Sequence, residues 1–343
     1  MKKDFADLNG GALDRWLKEN VADFVQLEAV ERFPGGQSNP TYRISDGRTD
    51  FVLRRKPFGK LLPSAHAVER EFRVISALHP AGFPVPQPYA LCDDDSVIGS
   101  AFYVMELAAG DQYWDALLPS VEGATRAGFH FALVDTLARL HQFDPEAIGL
   151  GEYGAPGNYC ERQVRRWTKQ YRASETETVA EMERLIEWLP RTLPQQDRTS
   201  VIHGDFRLDN VIFAPGSQRV IAVLDWELST TGDPLADFAY LAMNWISPRR
   251  EGTSTLGGFD LTGTGVPSLE QMVERYCQQT GRTAIAGLDW YFAFNLFRLA
   301  SIYQGIKKRM LDGNAASPAA EERAARIVPL ARRACEFAER ADG

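Results

Sequence analysis

The sequence predicts an α+β fold in two lobes: a small N-terminal antiparallel β lobe with one main helix at residues 1–107, and a larger, mostly helical lobe at residues 108–343. Three observations predict it. Short β-rich runs separated by turn residues crowd the first third of the chain. After Gly110 the apolar residues recur at helical spacing almost without a break. Within that helical part, two brief apolar runs at 201–202 and 221–224 flank a polar loop. A chain of 343 residues is long enough for two cores or one bilobal domain.

In order along the chain, residues 12–20 read as a short helix, and 25–33, 41–45 and 51–55 as strands. The loop 34–40 and the pair Asp46-Gly47 supply the turns. Residues 64–78 read as the main helix of the small lobe, with Ser64 as N-cap and Val68, Phe72, Ile75 and Leu78 at helical spacing. Pro84, Pro86 and Pro88 break the chain before strands at 89–92 and 101–106. Helical periods then cover 123–143, 158–173, 179–189, 235–245, 268–279, 288–310 and 319–341.

The polar loop carries the chemistry. It runs His203-Gly204-Asp205-Phe206-Arg207-Leu208-Asp209-Asn210, and the second apolar run ends at Asp225. Phosphoryl transfer needs a carboxylate to position and deprotonate an acceptor hydroxyl, and oxygen ligands for magnesium on the nucleotide phosphates. Asn210 and Asp225 supply the ligands and leave Asp205 as the base. Asp and Asn are also ordinary turn residues; the ordered set on strand-like segments is what favours catalysis. His203 has no second His or Cys at ligand spacing, so it is read as packing under the loop and orienting it. Asp209 is read as a loop-fixing or solvated carboxylate. Asp233 and Pro234 suit a helix N-cap and first turn, and Asp237, one turn later, is placed to bond the loop backbone.

These motifs resemble the aminoglycoside phosphotransferase and choline kinase superfamily, which shares the protein-kinase fold. His-Gly-Asp (203–205) stands for the kinase His-Arg-Asp, and Asp-Trp-Glu (225–227) for Asp-Phe-Gly. The fuller pattern, with Gly232-Asp-Pro-Leu-Ala-Asp237, is similar to the kinase-like domain fused to, or encoded beside, some acyl-CoA dehydrogenases. The resemblance implies ATP or GTP, with Mg2+, as cofactors. It implies that Gly36, Ser38 and Asn39 form a phosphate-covering loop, although a hairpin turn explains those residues equally well. It puts Arg54 where such kinases carry a phosphate-gripping lysine, with Glu71 as its partner and Glu69 as the competing candidate. A planar guanidinium can serve phosphate oxygens, with a different geometry. Lys56 falls past the strand end. Glu106 and Ala108 match the hinge along an adenine edge, and Arg207 matches a cation that contacts the transferred phosphate.

Composition limits the partners. A net charge of −8 argues against nucleic acid. Four scattered cysteines fit a reducing, cytoplasmic location, and neither a signal peptide nor a membrane span is expected. The aromatic helix at 290–297 reads as packed core in preference to an ammonium cage. Arg298, Lys307, Lys308 and Arg309 follow it and suit an anionic acceptor at a cleft rim. The resemblance implies a small-molecule acceptor, a hydroxyacyl-CoA or hydroxy acid, with an acyl-CoA dehydrogenase in the same pathway. A choline, aminoalcohol or aminoglycoside kinase shares every motif. A nucleotide-binding pseudokinase module is the alternative of another class, and Arg54 is the one feature favouring it. The short stretch from Asp225 to Asp237, without Ala-Pro-Glu, argues against a protein kinase.

Overall fold

Five strands from the first third of the chain form one antiparallel sheet in a computed structural model that describes residues 7–34, 39–58, 67–313 and 318–342. They are β1 (Ala29–Arg32), β2 (Thr41–Ser45), β3 (Asp50–Arg55), β4 (Pro88–Cys92) and β5 (Phe102–Glu106), in the order β1-β2-β3-β5-β4. The sheet belongs to a unit comprising Met1–Tyr113, Ile148–Leu150 and Arg207–Ser229. Successive side chains in a strand point to opposite faces. Tyr42, Ile44, Phe51, Leu53, Phe102 and Val104 pack with Leu13 and Leu17 of helix α1 (Gly10–Asn20). Arg54, between Leu53 and Arg55, therefore faces the other way, opposite Tyr103 of β5. Helix α2 (Val68–Leu78) turns Val68, Glu71, Val74, Ile75 and Leu78 inward, so one carboxylate sits in its apolar stripe.

Two expectations change here. The strand expected at 25–33 shortens to β1, because the Val25 and Leu27 amides donate to the carboxylates of Asp46 and Asp14 and leave the ladder. Helix α2 begins at Val68 behind Ala67, which makes no side-chain cap. Ser64, the expected cap, lies outside the described residues.

Five short strands follow: β6 (Asp111–Gln112), β7 (Ser200–Ile202), β8 (Val211–Phe213), β9 (Val220–Val223) and β10 (Thr230–Gly232). In the first unit β6, β8 and β9 form a sheet, with Val211 opposite Val223 in the β8–β9 hairpin. Gly110 leads into it; a Cβ there would lie 2.2 Å from the Phe213 carbonyl oxygen, so only glycine fits.

The second unit comprises Trp114–Ala147, Gly151–Phe206 and Thr230–Gly343. It holds the β7–β10 pair and helices α3 (Gly123–Leu140), α4 (Tyr159–Ser174), α5 (Ala180–Trp188), α6 (Pro234–Ala242), α7 (Leu269–Thr280), α8 (Leu288–Leu311), α9 (Pro318–Ala325) and α10 (Ile327–Asp342). Sequence signals set several ends. Asn158 caps α4, Asp233 with Pro234 opens α6, and Ser268 with Gln271 forms a capping box on α7. Helix α8 packs against α4, α6, α9 and α10. Trp290, Tyr291, Phe292, Phe294 and Phe297 are all buried, so the aromatic run is core. The single helix expected at 319–341 divides at Arg326. Pro329 would remove the bond to the carbonyl of residue 325 and clash with it, and α9 ends at Ala325. The architecture is the expected α+β one, an antiparallel sheet followed by a helical body. Among the described residues, no helix is long and apolar enough to cross a membrane.

His130 of α3 marks a pH limit on this core. It is buried, its Nε2 bonds the Ala116 carbonyl oxygen at 2.9 Å, and burial pushes its pKa down to about 4. Below its unfolded pKa near 6.5 the unfolded chain takes up a proton that the native ring resists. Stability from this group is therefore complete above pH 6.5 and is lost as pH falls toward 4, by about 3 kcal/mol at most. Urea denaturation of His130→Gln at pH 7 and pH 5 should show a smaller loss than the wild type over that interval.

Candidate active site

In the first unit, Arg54 lies among three carboxylates. Its Nε is 3.0 Å from Glu71 Oε2, one terminal nitrogen donates to Asp225 Oδ1 at 2.6 Å, and that nitrogen is 3.7 Å from Glu227. Glu71, 1% exposed, also accepts from the Asn39 amide at 2.7 Å and the Tyr103 hydroxyl at 3.2 Å. Burial pushes Glu71 up to about 7; Arg54 works against that shift, and the charges of Asp225 and Glu227 add to it. Burial alone would lower Arg54, but Glu71, Tyr103, Asp225 and Glu227 outweigh it and hold the guanidinium firmly charged. Of the two glutamates weighed from sequence, Glu71 is thus the one beside Arg54. Glu69 pairs with Lys56, which lies just past the end of β3.

Asn210 ends a 3₁₀ turn (Leu208–Asn210), and Asp225 follows β9. The Leu224 amide donates to the Asn210 carbonyl at 2.8 Å, so the hairpin register puts Asn210 opposite Leu224, the residue before Asp225. Asp225 adopts φ 65°, ψ 57°, the left-handed region, at a cost of about 1 kcal/mol. Arg207 pairs with Asp209 at 3.1 Å, which makes Asp209 a loop-fixing carboxylate.

Glu106 donates its amide to the Gln87 carbonyl and accepts the Gln87 amide on its carboxylate. Ala108 follows the end of β5 with its amide unbonded among the described residues. Gly36 and Ser38 lie outside the described residues, whereas Asn39 is fully buried against Glu71.

In the second unit, Asp205 sits at the end of a tightly held loop. Gly204 has φ 81°, a conformation that suits glycine. Asp237 of α6 accepts the His203 amide at 2.7 Å and the Gly204 amide at 2.9 Å, the bonds expected from its position. Burial works to raise Asp237, but hydrogen bonding and charge from His141, then His203, outweigh it and hold the carboxyl below its usual range. His141 lies 3.2 Å from Asp237 and bonds the Tyr276 hydroxyl at 2.7 Å. His203 is fully buried, and its Nδ1 accepts the Asp205 amide at 3.2 Å.

Sequence reading missed one group here and gave another a different place. The Tyr240 hydroxyl donates to Asp205 Oδ1. Tyr240 lies three residues after Asp237 on α6, a spacing that puts both on one helix face and was a usable signal. Arg298, expected at a solvated rim, is only 7% exposed and donates to the Gly204 carbonyl at 2.7 Å. It is a buried loop contact because α8 is core on every side at that level. Lys307 pairs with Glu177 and Lys308 with Asp312, so these members of the expected cationic run have carboxylate partners.

Known proteins are similar to this chain in sequence and in fold. Residues 29–290 match the model of the phosphotransferase enzyme family. Acyl-CoA dehydrogenase family member 10 of Mus musculus is 47% identical over 332 residues, which cover 95% of this chain and 31% of that protein. Family member 11 of Gallus gallus is 44% identical over 338 residues, covering 96% and 43%. The chain thus spans less than half the length of these curated relatives. A crystal structure of a Ralstonia eutropha protein, classed provisionally as an aminoglycoside phosphotransferase, has 43% identity and a TM-score of 0.89 over 97% of this chain and 99% of that one. The choline kinase LicA of Streptococcus pneumoniae shares the fold at 15% identity, with a TM-score of 0.59 over 93% and 99%. The chain belongs to the phosphotransferase enzyme family and is a small-molecule kinase of protein-kinase-like fold.

Proposed function

We propose that this kinase transfers the γ-phosphoryl group of ATP to a hydroxyl of a hydroxyacyl-CoA or a hydroxy acid. The observation that carries the phosphoryl-transfer reading is the Arg54 cluster, in which a half-buried cation is fixed by Glu71 and reaches Asp225. Arginine has five N–H donors, so donors remain for the α- and β-phosphates beyond these two contacts. The donor set suits magnesium: the Asn210 amide oxygen and the Asp225 carboxylate are hard ligands, and three carboxylates face one guanidinium. Bound there, the ion would offset charge on the β- and γ-phosphates. Asp205 takes the proton of the acceptor hydroxyl as the acceptor oxygen attacks the γ-phosphorus, the bond from that phosphorus to the bridging oxygen breaks to release ADP, and Arg207 offsets charge on the transferring group. In the same reading, the backbone at Glu106 and Ala108 meets the adenine edge.

Related complexes support ATP. A spectinomycin phosphotransferase of this fold contains ADP, and a phosphotransferase structure with hygromycin B contains AMP-PNP. The acyl acceptor is supported by the curated relatives, whose names place the matched segment in acyl-CoA dehydrogenase family proteins. An acyl-CoA dehydrogenase that consumes the phosphorylated product fits the same reading. The alternative is an aminoalcohol or aminoglycoside acceptor, which the shared fold allows. A pseudokinase fits less well, since Asp205, Asn210 and Asp225 are all present and Arg54 is linked to Glu71.

The deciding experiment measures magnesium-dependent ATP consumption with hydroxyacyl-CoAs, hydroxy acids, choline and kanamycin. A higher kcat/KM for choline or kanamycin than for every acyl substrate would overturn the acceptor. Asp205→Asn should lower kcat by roughly 100-fold or more while calorimetric MgATP affinity stays near wild type. Asp225→Asn should weaken nucleotide affinity chiefly when magnesium is present. Arg54→Ala leaves the buried Glu71 facing two half-buried carboxylates without a cation, so it should lower stability by about 3 kcal/mol in urea titration at pH 8.

A further inference from the structure

We propose that Tyr240 and Arg298 are positioning residues that fix the orientation in which the Asp205 carboxylate meets the acceptor hydroxyl. The proposal rests on the reading of Asp205 as the base. The Tyr240 hydroxyl donates to Asp205 Oδ1. A bond to one carboxylate oxygen sets rotation about the terminal torsion, which is otherwise broad in aspartate. The opposite edge is then presented to the acceptor in one orientation, as a base acting within hydrogen-bond reach requires.

Arg298 supports this from two directions. Its terminal nitrogen donates to the Gly204 carbonyl, the peptide directly before Asp205. Its guanidinium carbon also lies 5.0 Å from the centroid of the Tyr240 ring and 5.6 Å from that of Trp167 on α4. The same cation therefore holds the backbone entering Asp205 and backs the ring whose hydroxyl holds the Asp205 side chain. A cation over a phenol face also strengthens donation by its hydroxyl, because neighbouring groups polarise one another in a water-poor site. Arg298 forms no ion pair with a carboxylate among the described residues, although it is 7% exposed. Burying a guanidinium without a carboxylate is costly, and an apolar side chain of similar volume would serve stability better. Its position is explained by the loop and the ring that it holds.

The elements agree. Asp237 and Tyr240 share α6, so one helix fixes the amides before Asp205 and the carboxylate of Asp205 itself. Helix α8 supplies Arg298 from the core, where it cannot drift.

The test uses the full chain and the member of a hydroxyacyl-CoA chain-length panel that the wild type turns over fastest. Tyr240→Phe removes one oxygen and should lower kcat roughly 10- to 100-fold, with both KM values within about twofold of wild type. Arg298→Lys keeps the charge but loses the planar fork, and should lower kcat by a smaller factor with KM again unchanged. In an Asp205→Asn background, adding Tyr240→Phe should cause no further loss, since the two changes break one function. Independent, multiplicative losses, or a raised KM at unchanged kcat, would overturn the proposal. So would a wild-type rate for Tyr240→Phe while Asp205→Asn is inactive, and that result would leave the base assignment standing. Near-wild-type activity of Asp205→Asn would remove the base and the positioning proposal together.

Discussion

The guanidinium of Arg54 ties together three parts of the first unit that are not joined by one sheet: strand β3, helix α2 and the chain end beyond β9. Its contacts to Glu71, Asp225 and Glu227 are all charged. Asn39 and Tyr103 complete the shell around Glu71, so the carboxylate in the α2 stripe has partners on both oxygens. A buried carboxylate without them would force α2 away from the sheet or take up a proton. Even so, one cation faces three carboxylates, and Glu71 is pushed up to about 7 by burial and by that excess. The cluster is built with negative charge to spare, which a divalent cation on a nucleotide would offset.

The loop that carries Asp205 is held on a different principle. Its backbone is fixed by neutral and charge-assisted hydrogen bonds: Asp237 on the amides of His203 and Gly204, Arg298 on the Gly204 carbonyl, and His141 with Tyr276 behind Asp237. These groups are buried, so the loop's geometry does not depend on salt or on a mobile surface chain. The helical unit thus gives Asp205 a fixed frame, while the first unit surrounds Asp225 with charge. The proposed roles call for that difference: a base needs constancy of position, and a phosphate site needs charge that a ligand completes.

Much of this was legible in the chain itself. The strand and helix periods place the elements because half-buried surfaces impose periods of 2 and 3.6, and the loop motif points to the family because phosphoryl-transfer chemistry needs few residue types in order. What was not legible depended on long-range partners. Val25 and Leu27 look like strand residues, yet their amides bond aspartates distant in sequence. Arg298 looks like the first of a run of surface cations, yet it is buried on a helix whose burial on all sides follows from its neighbours. The division at Arg326 was readable, since Pro329 is four residues beyond Ala325, but the helical period on both sides masked it. Tyr240 was readable only once Asp237 had been assigned to the loop, because its meaning comes from sharing that helix face.

The arginine at position 54 and the glutamate at position 227 explain one another. Protein kinases resembled by the motif have glycine where this chain has Glu227, and lysine where it has Arg54. Adding a carboxylate beside Asp225 and Glu71 raises the negative charge around the strand cation. An ammonium is a compact point charge, best served by partners gathered at one spot, and its pKa moves readily in a buried setting. The carboxylates here are spread, at 3.0, 2.6 and 3.7 Å from two different nitrogens of one side chain. A planar fork reaches them from fixed directions and stays charged despite burial. Lys56, two residues on, cannot substitute, because it lies past the strand and is engaged by Glu69. The departure from lysine is therefore an adjustment to a third acidic partner, and it keeps the positive charge that the proposed nucleotide site calls for.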